Sequence, residues 1–104
     1  MKQPLQVRFN GLEPSEAVEA AARTKAEKLD RFHPDIMSCR VTIELAHKHQ
    51  QQGRPFAVRI DVTVPDRELT VDRVQDEDVY VALRDAFDDM TRQLDDSLRR
   101  IRGR

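Results

Sequence analysis

The sequence predicts an α+β fold, a β-α-β-β-β-α two-layer sandwich in which two helices pack on one face of a four-stranded sheet. Four segments place apolar residues at every second position, which is the period of a half-buried strand. Two longer segments place them in steps of three and four, which is the period of an amphipathic helix. Strands with one apolar face and helices with one apolar stripe bury both surfaces by covering each other.

The first strand and the first helix are each bounded by a local signal. In LQVRFN the apolar residues alternate, and Gly11 interrupts the pattern. Ser15 is suited to cap a helix, and that helix is expected to end at His33 because a residue before proline is pushed out of the helical region. The predicted inward residues are Leu5, Val7 and Phe9 in the strand and Val18, Ala21, Ala22, Lys25 (through its aliphatic stem), Leu29 and Phe32 in the helix.

Three further strands follow in the segments CRVTIELAH, PFAVRIDVTV and the shorter ELTVDRV. Short connections predict an antiparallel meander, whereas the helix between strands one and two predicts a parallel pair with a right-handed crossover. The predicted inward residues are Cys39, Val41, Ile43, Leu45, Phe56, Val58, Ile60, Val62 and Val64. The face left open to water is expected to carry Arg8, Arg40, Thr42, Glu44, Arg59, Asp61 and Thr63.

A second, longer helix is predicted to begin at Asp76 or Asp78, because an aspartate side chain accepts hydrogen bonds from the first turn of a helix. A single apolar stripe runs along it, so we expect it to cover the same sheet face as the first helix. The stripe consists of Val79, Leu83, Phe87, Met90, Leu94, Leu98 and Ile101.

Length and composition predict one domain over residues 1–104 and a cytoplasmic location. A chain of 104 residues is the usual size of a single domain. The one cysteine, Cys39, excludes a disulfide within the chain, which suits a reducing compartment. No apolar run approaches the ~20 residues of a membrane span, and the N-terminus lacks the apolar stretch of a secretory signal.

The motifs of common enzymes are not found in the sequence. Its three glycines do not form a phosphate-binding loop, and no serine lies in a nucleophile-elbow motif. Cys39 falls on the inward face of a strand, where a thiol is normally inert. The carboxylates lie on a helix face that is expected to be solvated, where nothing raises a pKa for acid catalysis. We therefore expect a binding protein with no cofactor, no small-molecule substrate and no membrane partner.

The stretch AHKHQQQGRP, residues 46–55, allows three interpretations. It connects two antiparallel strands, so it is first of all a polar hairpin loop. Its cationic residues also suit contact with phosphate or RNA. His47 and His49 would share one face of a strand, which permits a metal ion, but a structural zinc site needs about four ligands and Cys39 faces the core.

The charges predict where RNA would bind. The net charge is −1, so binding of a polyanion depends on uneven distribution. Basic residues lie off the apolar stripes of both helices, and a basic groove between the helices would suit RNA phosphates. A competing interpretation is that these cations form i,i+4 ion pairs, such as Asp88–Arg92, Asp95–Arg99 and Asp96–Arg100. The predicted RNA-binding residues are Arg23, Lys25, Lys28, Arg31, Arg84, Arg92, Arg99 and Arg100.

The chain resembles a known family over about residues 5–102. EKLDRF at the end of the first helix, DVYVAL at the start of the second and RQL within it are similar to the ribosome hibernation-promoting factor and ribosome-associated translation inhibitor family. The segment HKHQQQGRPFAVRIDVTVP looks closest to a short, single-domain branch. The chain ends before the C-terminal dimerisation domain of long-form members would begin, so we expect the short form.

This resemblance implies a function and a set of contacts. Members bind the small ribosomal subunit in the channel for messenger and transfer RNA, contact 16S rRNA through basic residues on both helices, and promote hibernation under stress. Ribosomal proteins are further candidate partners. By position, Lys25, Lys28 and Arg31 match basic sites on helix one, Arg92 matches the arginine of RQL, Arg99 and Arg100 match the basic C-terminal turn, and Tyr80 matches a structural tyrosine.

Three acids depart from the family pattern. Asp89 and Asp96 stand where typical members carry lysine, and Glu19 stands where arginine is common. Each reversal replaces attraction to phosphate by repulsion. The alternative interpretation is therefore a protein-interaction module that keeps the fold, has lost strong rRNA binding and uses the acids of helix two on a basic partner.

Overall fold

The computed structural model of the chain describes residues 1–46 and 55–102, and at positions 73, 98 and 100–102 it describes the backbone alone. Within these residues there are four strands and two helices, and the predicted α+β class and β-α-β-β-β-α order are confirmed. The elements are β1 Gln6–Asn10, α1 Glu16–Phe32, β2 Ser38–Leu45, β3 Phe56–Val64, β4 Arg67–Asp76 and α2 Val79–Arg102.

The strands form one sheet in the order β1-β2-β3-β4. β1 is parallel to β2, with Val7 opposite Val41, as expected for two strands joined through a helix. The β2–β3 and β3–β4 pairs are antiparallel, with Val41 opposite Ile60 and Val62 opposite Leu69. The predicted parallel pair and the antiparallel meander are both confirmed.

A single hydrophobic core lies between the sheet and the two helices. The inward residues of the central strands are almost completely buried, and Ile43 and Ile60 have no exposed surface. α1 contributes Ala22 and Leu29 to the same cluster, and α2 contributes Leu83. Because residues from both helices and from one face of the sheet form one cluster, both helices cover the same face.

The ends of the helices are fixed by the residues expected from the sequence. Ser15 caps α1, and its hydroxyl oxygen accepts a hydrogen bond of 3.2 Å from the backbone N–H of Val18. Asp78 caps α2 by accepting from the N–H of Tyr80 at 2.9 Å. Gly11, between β1 and α1, has a φ of 75°, which a residue without a Cβ adopts at little cost.

The observed length of β4 differs from the predicted one. β4 was expected to be short and to end near residue 74, but it spans Arg67–Asp76, and its pairing with β3 reaches both ends of that strand. The register shifts between Val58 and Ile60, as at a β-bulge, and the pairing then continues to Asp76.

Phe32 was expected on the apolar stripe of α1, but 65% of its surface is exposed. The buried stripe instead runs through Val18, Ala22, Ala26 and Leu29. Each helical residue turns the direction of the side chain by about 100°, so Phe32 lies to one side of the centre of this stripe. The sequence pattern included Phe32 because it lies three residues after Leu29, but the buried stripe is centred on the side of the helix that carries Ala22 and Ala26.

Asp61 is an exception on the sheet face that was predicted to be open to water. Arg8, Arg40, Glu44 and Arg59 are exposed as expected, but only 9% of the surface of Asp61 is accessible. Its neighbours Arg59 and Thr70 cover it and donate hydrogen bonds to its carboxylate.

Candidate nucleic-acid interface

A groove of about 410 Å³ runs between α1 and α2. The wall formed by α1 carries two cations, Lys25 and Lys28, whereas the wall formed by α2 carries the carboxylates of Asp88 and Asp95. The remaining lining residues are Leu29, Phe32, His33, Phe87 and Thr91. The groove therefore has one cationic and one acidic wall, which differs from the continuous basic groove expected between the helices.

His33 closes one end of this groove by joining the two helices. As the C-cap of α1, it donates its backbone N–H to the carbonyl oxygen of Leu29 at 2.9 Å. Its Nε2 lies 3.0 Å from Oδ1 of Asp95 on α2, and only 11% of the His33 side chain is exposed. This contact holds the end of α1 against α2.

Three cations on α1 have no ion-pair partner among the described residues. Lys28 and Arg31 are exposed and Lys25 is half-buried, which agrees with an aliphatic stem that lies against apolar neighbours. The three follow one another at i,i+3 spacing, so they lie within two turns of the helix. We call Lys25, Lys28 and Arg31 the α1 cation cluster.

Arg23 lies on α1 as well, but away from the groove. It pairs with Glu19 at 3.1 Å, one turn earlier in the helix. It lines a shallow surface depression that also contains Glu16 and Glu27. The surroundings of Arg23 are therefore acidic, and the fold separates it from the α1 cation cluster.

The described arginines predicted on α2 are each paired with an aspartate of the same helix. Arg84 lies 3.1 Å from Asp85. Arg92 lies 2.5 Å from Asp89, and Arg99 lies 3.5 Å from Asp96, both at i,i+3 spacing. Such exposed pairs contribute only about 0–1 kcal/mol each to stability. Their main consequence is that each aspartate lowers the positive potential around its arginine.

The i,i+4 pairs expected from the sequence are replaced by these contacts. Arg92 pairs with Asp89 instead of Asp88, which lines the groove. Asp95 bonds to His33 on α1, so Arg99 pairs with Asp96. The third expected pair and the predicted RNA-binding role of Arg100 involve a side chain outside the described part of the chain.

The predicted histidine loop also lies outside the described residues, because His47 and His49 fall between residues 46 and 55. Within the parts that the structure describes, no group of three or more His, Cys, Asp or Glu side chains is placed to hold a metal ion. Over the same residues, no helix is long and apolar enough to cross a membrane.

Burial, aided by the charge of Asp61, raises the pKa of Cys39 to about 12 and keeps the thiol protonated.

Comparison with known families identifies the family of this chain. Residues 5–102 match the family described as sigma 54 modulation protein / S30EA ribosomal protein. The chain belongs to this family. The resemblance to ribosome hibernation proteins noted in the sequence is confirmed, and S30EA membership supports association with the ribosome. A search of curated proteins found no match.

Two solved structures share the S30EA fold of this chain. One is a ribosomal subunit interface protein from Coxiella burnetii, with a TM-score of 0.77 and 14% identity over 89% of this chain and 94% of that one. The other is the N-terminal domain of Protein Y from Thermus thermophilus, with a TM-score of 0.69 and 24% identity over 85% of this chain and 90% of that one. At these identities the similarity establishes the fold.

Two residues that line the groove were missed in the sequence. His33 was treated only as the end of a helix, and Phe32 was assigned to the core. The sequence signal for both is weak: an aromatic residue and a histidine stand at a helix end before Pro34. Their surroundings depend on which other elements pack against that helix end. The residues of α2 that line the groove with them are more than fifty residues away in the chain, so local periodicity does not reveal this arrangement.

Proposed function

We propose that this chain is a ribosome-associated RNA-binding protein that uses the α1 cation cluster to bind the small ribosomal subunit. Its site is the channel for messenger and transfer RNA, and its effect is to repress translation or to promote ribosome hibernation under stress. The observation that carries the proposal is the set of three neighbouring cations, Lys25, Lys28 and Arg31, that have no carboxylate partner among the described residues. Membership of the S30EA family supports the ribosome as the target.

Charge pairing explains why α1 carries the main contact in this proposal. A cation that is already paired with a carboxylate adds little to the field felt by a phosphate, whereas an unpaired one releases a counterion on binding. Arg84, Arg92 and Arg99 are paired on α2. They remain candidate contacts, because weak surface pairs can exchange a carboxylate for a phosphate.

The proposal extends to location and partners. We propose that residues 1–104 act as one cytoplasmic domain whose partners are 16S rRNA and neighbouring ribosomal proteins. Binding rather than catalysis is the proposed activity. In support, burial raises the pKa of the Cys39 thiol to about 12, so this thiol stays protonated and does not supply a nucleophile.

The test is co-sedimentation of the protein with purified small subunits at low and raised salt. We expect the wild-type protein to co-sediment near 50 mM salt and to dissociate as the salt rises toward about 200 mM. Lys28→Gln should weaken binding and lower the slope of log K against log salt by about one, as expected for the loss of a single phosphate contact.

The matched control is Arg8→Gln, which removes the same charge from the exposed open face of the sheet. It should leave both affinity and salt slope unchanged. If the wild-type protein stays at the top of the gradient in low salt, or if Arg8→Gln weakens binding as much as Lys28→Gln, the proposed interface is wrong.

A second candidate function is a protein-interaction module that binds a basic partner through α2. The acidic wall of the groove, Asp88 and Asp95, favours it. In this case a pull-down of ribosomal components would survive nuclease treatment, and Asp88→Asn would weaken it. Contacts that disappear with nuclease would instead support RNA as the ligand.

A further inference from the structure

Phe32 is the most exposed large apolar side chain among the described residues, with Tyr80 next at 47%. It is the last residue of α1 and stands between two grooves. Phe32 and His33 line both the interhelical groove and a second groove of about 540 Å³. The second groove is bounded by Val64, Pro65, Leu94 and other residues near the turn between β3 and β4.

The backbone that presents the Phe32 ring is fixed. The next residue, His33, holds Asp95 on α2 through its side chain and Leu29 through its backbone N–H. The ring is thus exposed on a helix end that these contacts hold in place. Because the ring is mostly in water, its burial contributes little to stability. A solvent-exposed aromatic ring on a held helix end, next to cations that have no ion-pair partner in the part of the chain that the structure describes, has the composition of a surface that binds single-stranded nucleic acid.

We infer that Phe32 is a stacking platform for one unstacked RNA base, while Lys28 holds the neighbouring phosphate. This inference rests on the proposed function, since it requires that α1 binds RNA. It adds the form of RNA that is recognised: an unpaired base in a loop, bulge or single strand, and not the regular surface of a duplex.

The spacing on α1 fits this ligand. Lys28 and Phe32 are at i and i+4, so their Cβ atoms lie about 5–6 Å apart on one side of the helix, and both line the same groove. Lys25 lies a further turn along that side. A single strand offers a planar base beside its charged backbone, so one nucleotide can satisfy the ring and the ammonium group together.

Charge favours RNA over an apolar protein segment at this place. A hydrophobic peptide on Phe32 would lie over Lys28 and next to Arg31, which would lose hydration without gaining a partner. A nucleotide brings its own phosphates to these cations. An acidic protein segment would also pair with these cations, and its binding would resist nuclease.

The first experiment compares Phe32→Ala, Phe32→Leu and Phe32→Tyr in binding to small subunits and to a short unstructured RNA. Loss of one stacked base weakens binding by about 5- to 150-fold. We expect Ala and Leu to show this loss, because leucine keeps the apolar bulk but not the flat face, and Tyr to bind like the wild type. The salt slope should stay unchanged in all three, because no phosphate contact is removed.

The second experiment uses Phe32→Trp. The chain contains no tryptophan, so indole fluorescence in this variant reports on position 32 alone. The unstructured RNA should quench it, and an oligonucleotide of equal length with abasic sites should bind more weakly and leave it nearly unchanged. Tyr80→Ala is the matched control for loss of an exposed aromatic side chain, and its affinity should equal that of the wild type.

The outcomes separate this inference from the proposed function. If Lys28→Gln weakens binding but Phe32→Ala and Phe32→Leu do not, the cation cluster binds RNA and the stacking role is wrong. If the abasic oligonucleotide quenches as strongly as the RNA, stacking is also excluded. If Phe32→Ala weakens only a nuclease-resistant contact, the ligand is a protein. Failure of the wild type to bind subunits or RNA would overturn both proposals.

Discussion

Thr70 of β4 donates a hydrogen bond of 2.9 Å to the carboxylate of Asp61, its direct partner across the β3–β4 pair. Arg59 donates to the same carboxylate at 3.2 Å. Burial alone would raise the pKa of Asp61, but these hydrogen bonds and the charges of Arg59 and Arg40 outweigh it and hold the pKa below its usual value. A nearly buried carboxylate thus stabilises the sheet face that carries no helix.

The lowered pKa of Asp61 makes its contribution to stability dependent on pH. A depressed folded-state pKa stabilises the folded protein above the unfolded pKa of about 3.9, and this stabilisation is lost as the pH falls through the folded value. We expect Asp61→Asn to lower the free energy of unfolding by about 1–3 kcal/mol at neutral pH. Urea unfolding at a series of pH values should show this difference shrinking below about pH 4. A difference that stays constant or grows with acidification would contradict the assignment.

A pair of Phe→Ala substitutions tests the placement of the aromatic residues. Phe87 is 5% exposed and belongs to the core, so its replacement should cost about 3–5 kcal/mol. Phe32→Ala should change the free energy of unfolding by less than about 0.5 kcal/mol, because the ring is mostly in water. Thermal and urea unfolding of both variants measure the contrast. Equal losses in the free energy of unfolding would show that Phe32 belongs to the core and would contradict its proposed role with RNA.

Cys39 should be unreactive in the folded protein. With a pKa of about 12, only about one thiol in ten thousand is ionised at pH 8, and the side chain is buried between the sheet and the helices. We expect labelling by a thiol reagent to proceed only through unfolding, so that its rate rises with urea together with the unfolded fraction. Rapid labelling in native buffer would show that β2 opens locally.

The cap of α2 can be tested with two neighbouring acids. Asp78→Ala removes the acceptor for the N–H of Tyr80 and should cost about 0.5–2 kcal/mol, while Asp78→Ser should retain most of the stability. Glu77→Ala removes the same charge one residue earlier and is the control. If both alanine variants lose equal stability, the effect is one of charge and not of the cap.

The aspartates of α2 should limit RNA affinity under the proposed function. Asp89→Asn with Asp96→Asn removes the partners of Arg92 and Arg99 while keeping the side-chain shape. We expect tighter binding to small subunits and a steeper dependence on salt. Glu44→Gln with Glu68→Gln changes the net charge equally on the open sheet face and should have little effect. Equal gains from both double variants would indicate a response to net charge alone.

Particular residues show how far the sequence alone could predict this molecule. The alternation in β2 and β3 predicted Val41, Ile43, Ile60 and Val62 correctly, because a strand with one buried face has a fixed period of two. Ser15 was predicted as a cap because its hydrogen bond is local. Phe32 was assigned wrongly, because the direction of a buried helical stripe depends on what the helix packs against.

The charged residues also show which features the sequence predicts and which depend on packing. Their identities and spacing on the two helices are properties of the sequence, and they predicted the candidate interface. The partner of Asp95 was not predictable. Its carboxylate could pair with Arg99 one turn later or with His33 at the end of α1, and packing places Nε2 of His33 at 3.0 Å from Oδ1 of Asp95.

The sequence by itself determined the class of fold, the order and pairing of its elements and the central part of its core, because these follow from periodicity and from short-range hydrogen bonds. The tertiary structure decided which of the described helix cations form ion pairs, that Asp61 is shielded on an otherwise exposed face, and that the Phe32 side chain is exposed to water between two grooves. Those features depend on distances between side chains far apart in the chain, which become fixed only when α1, α2 and the sheet pack together.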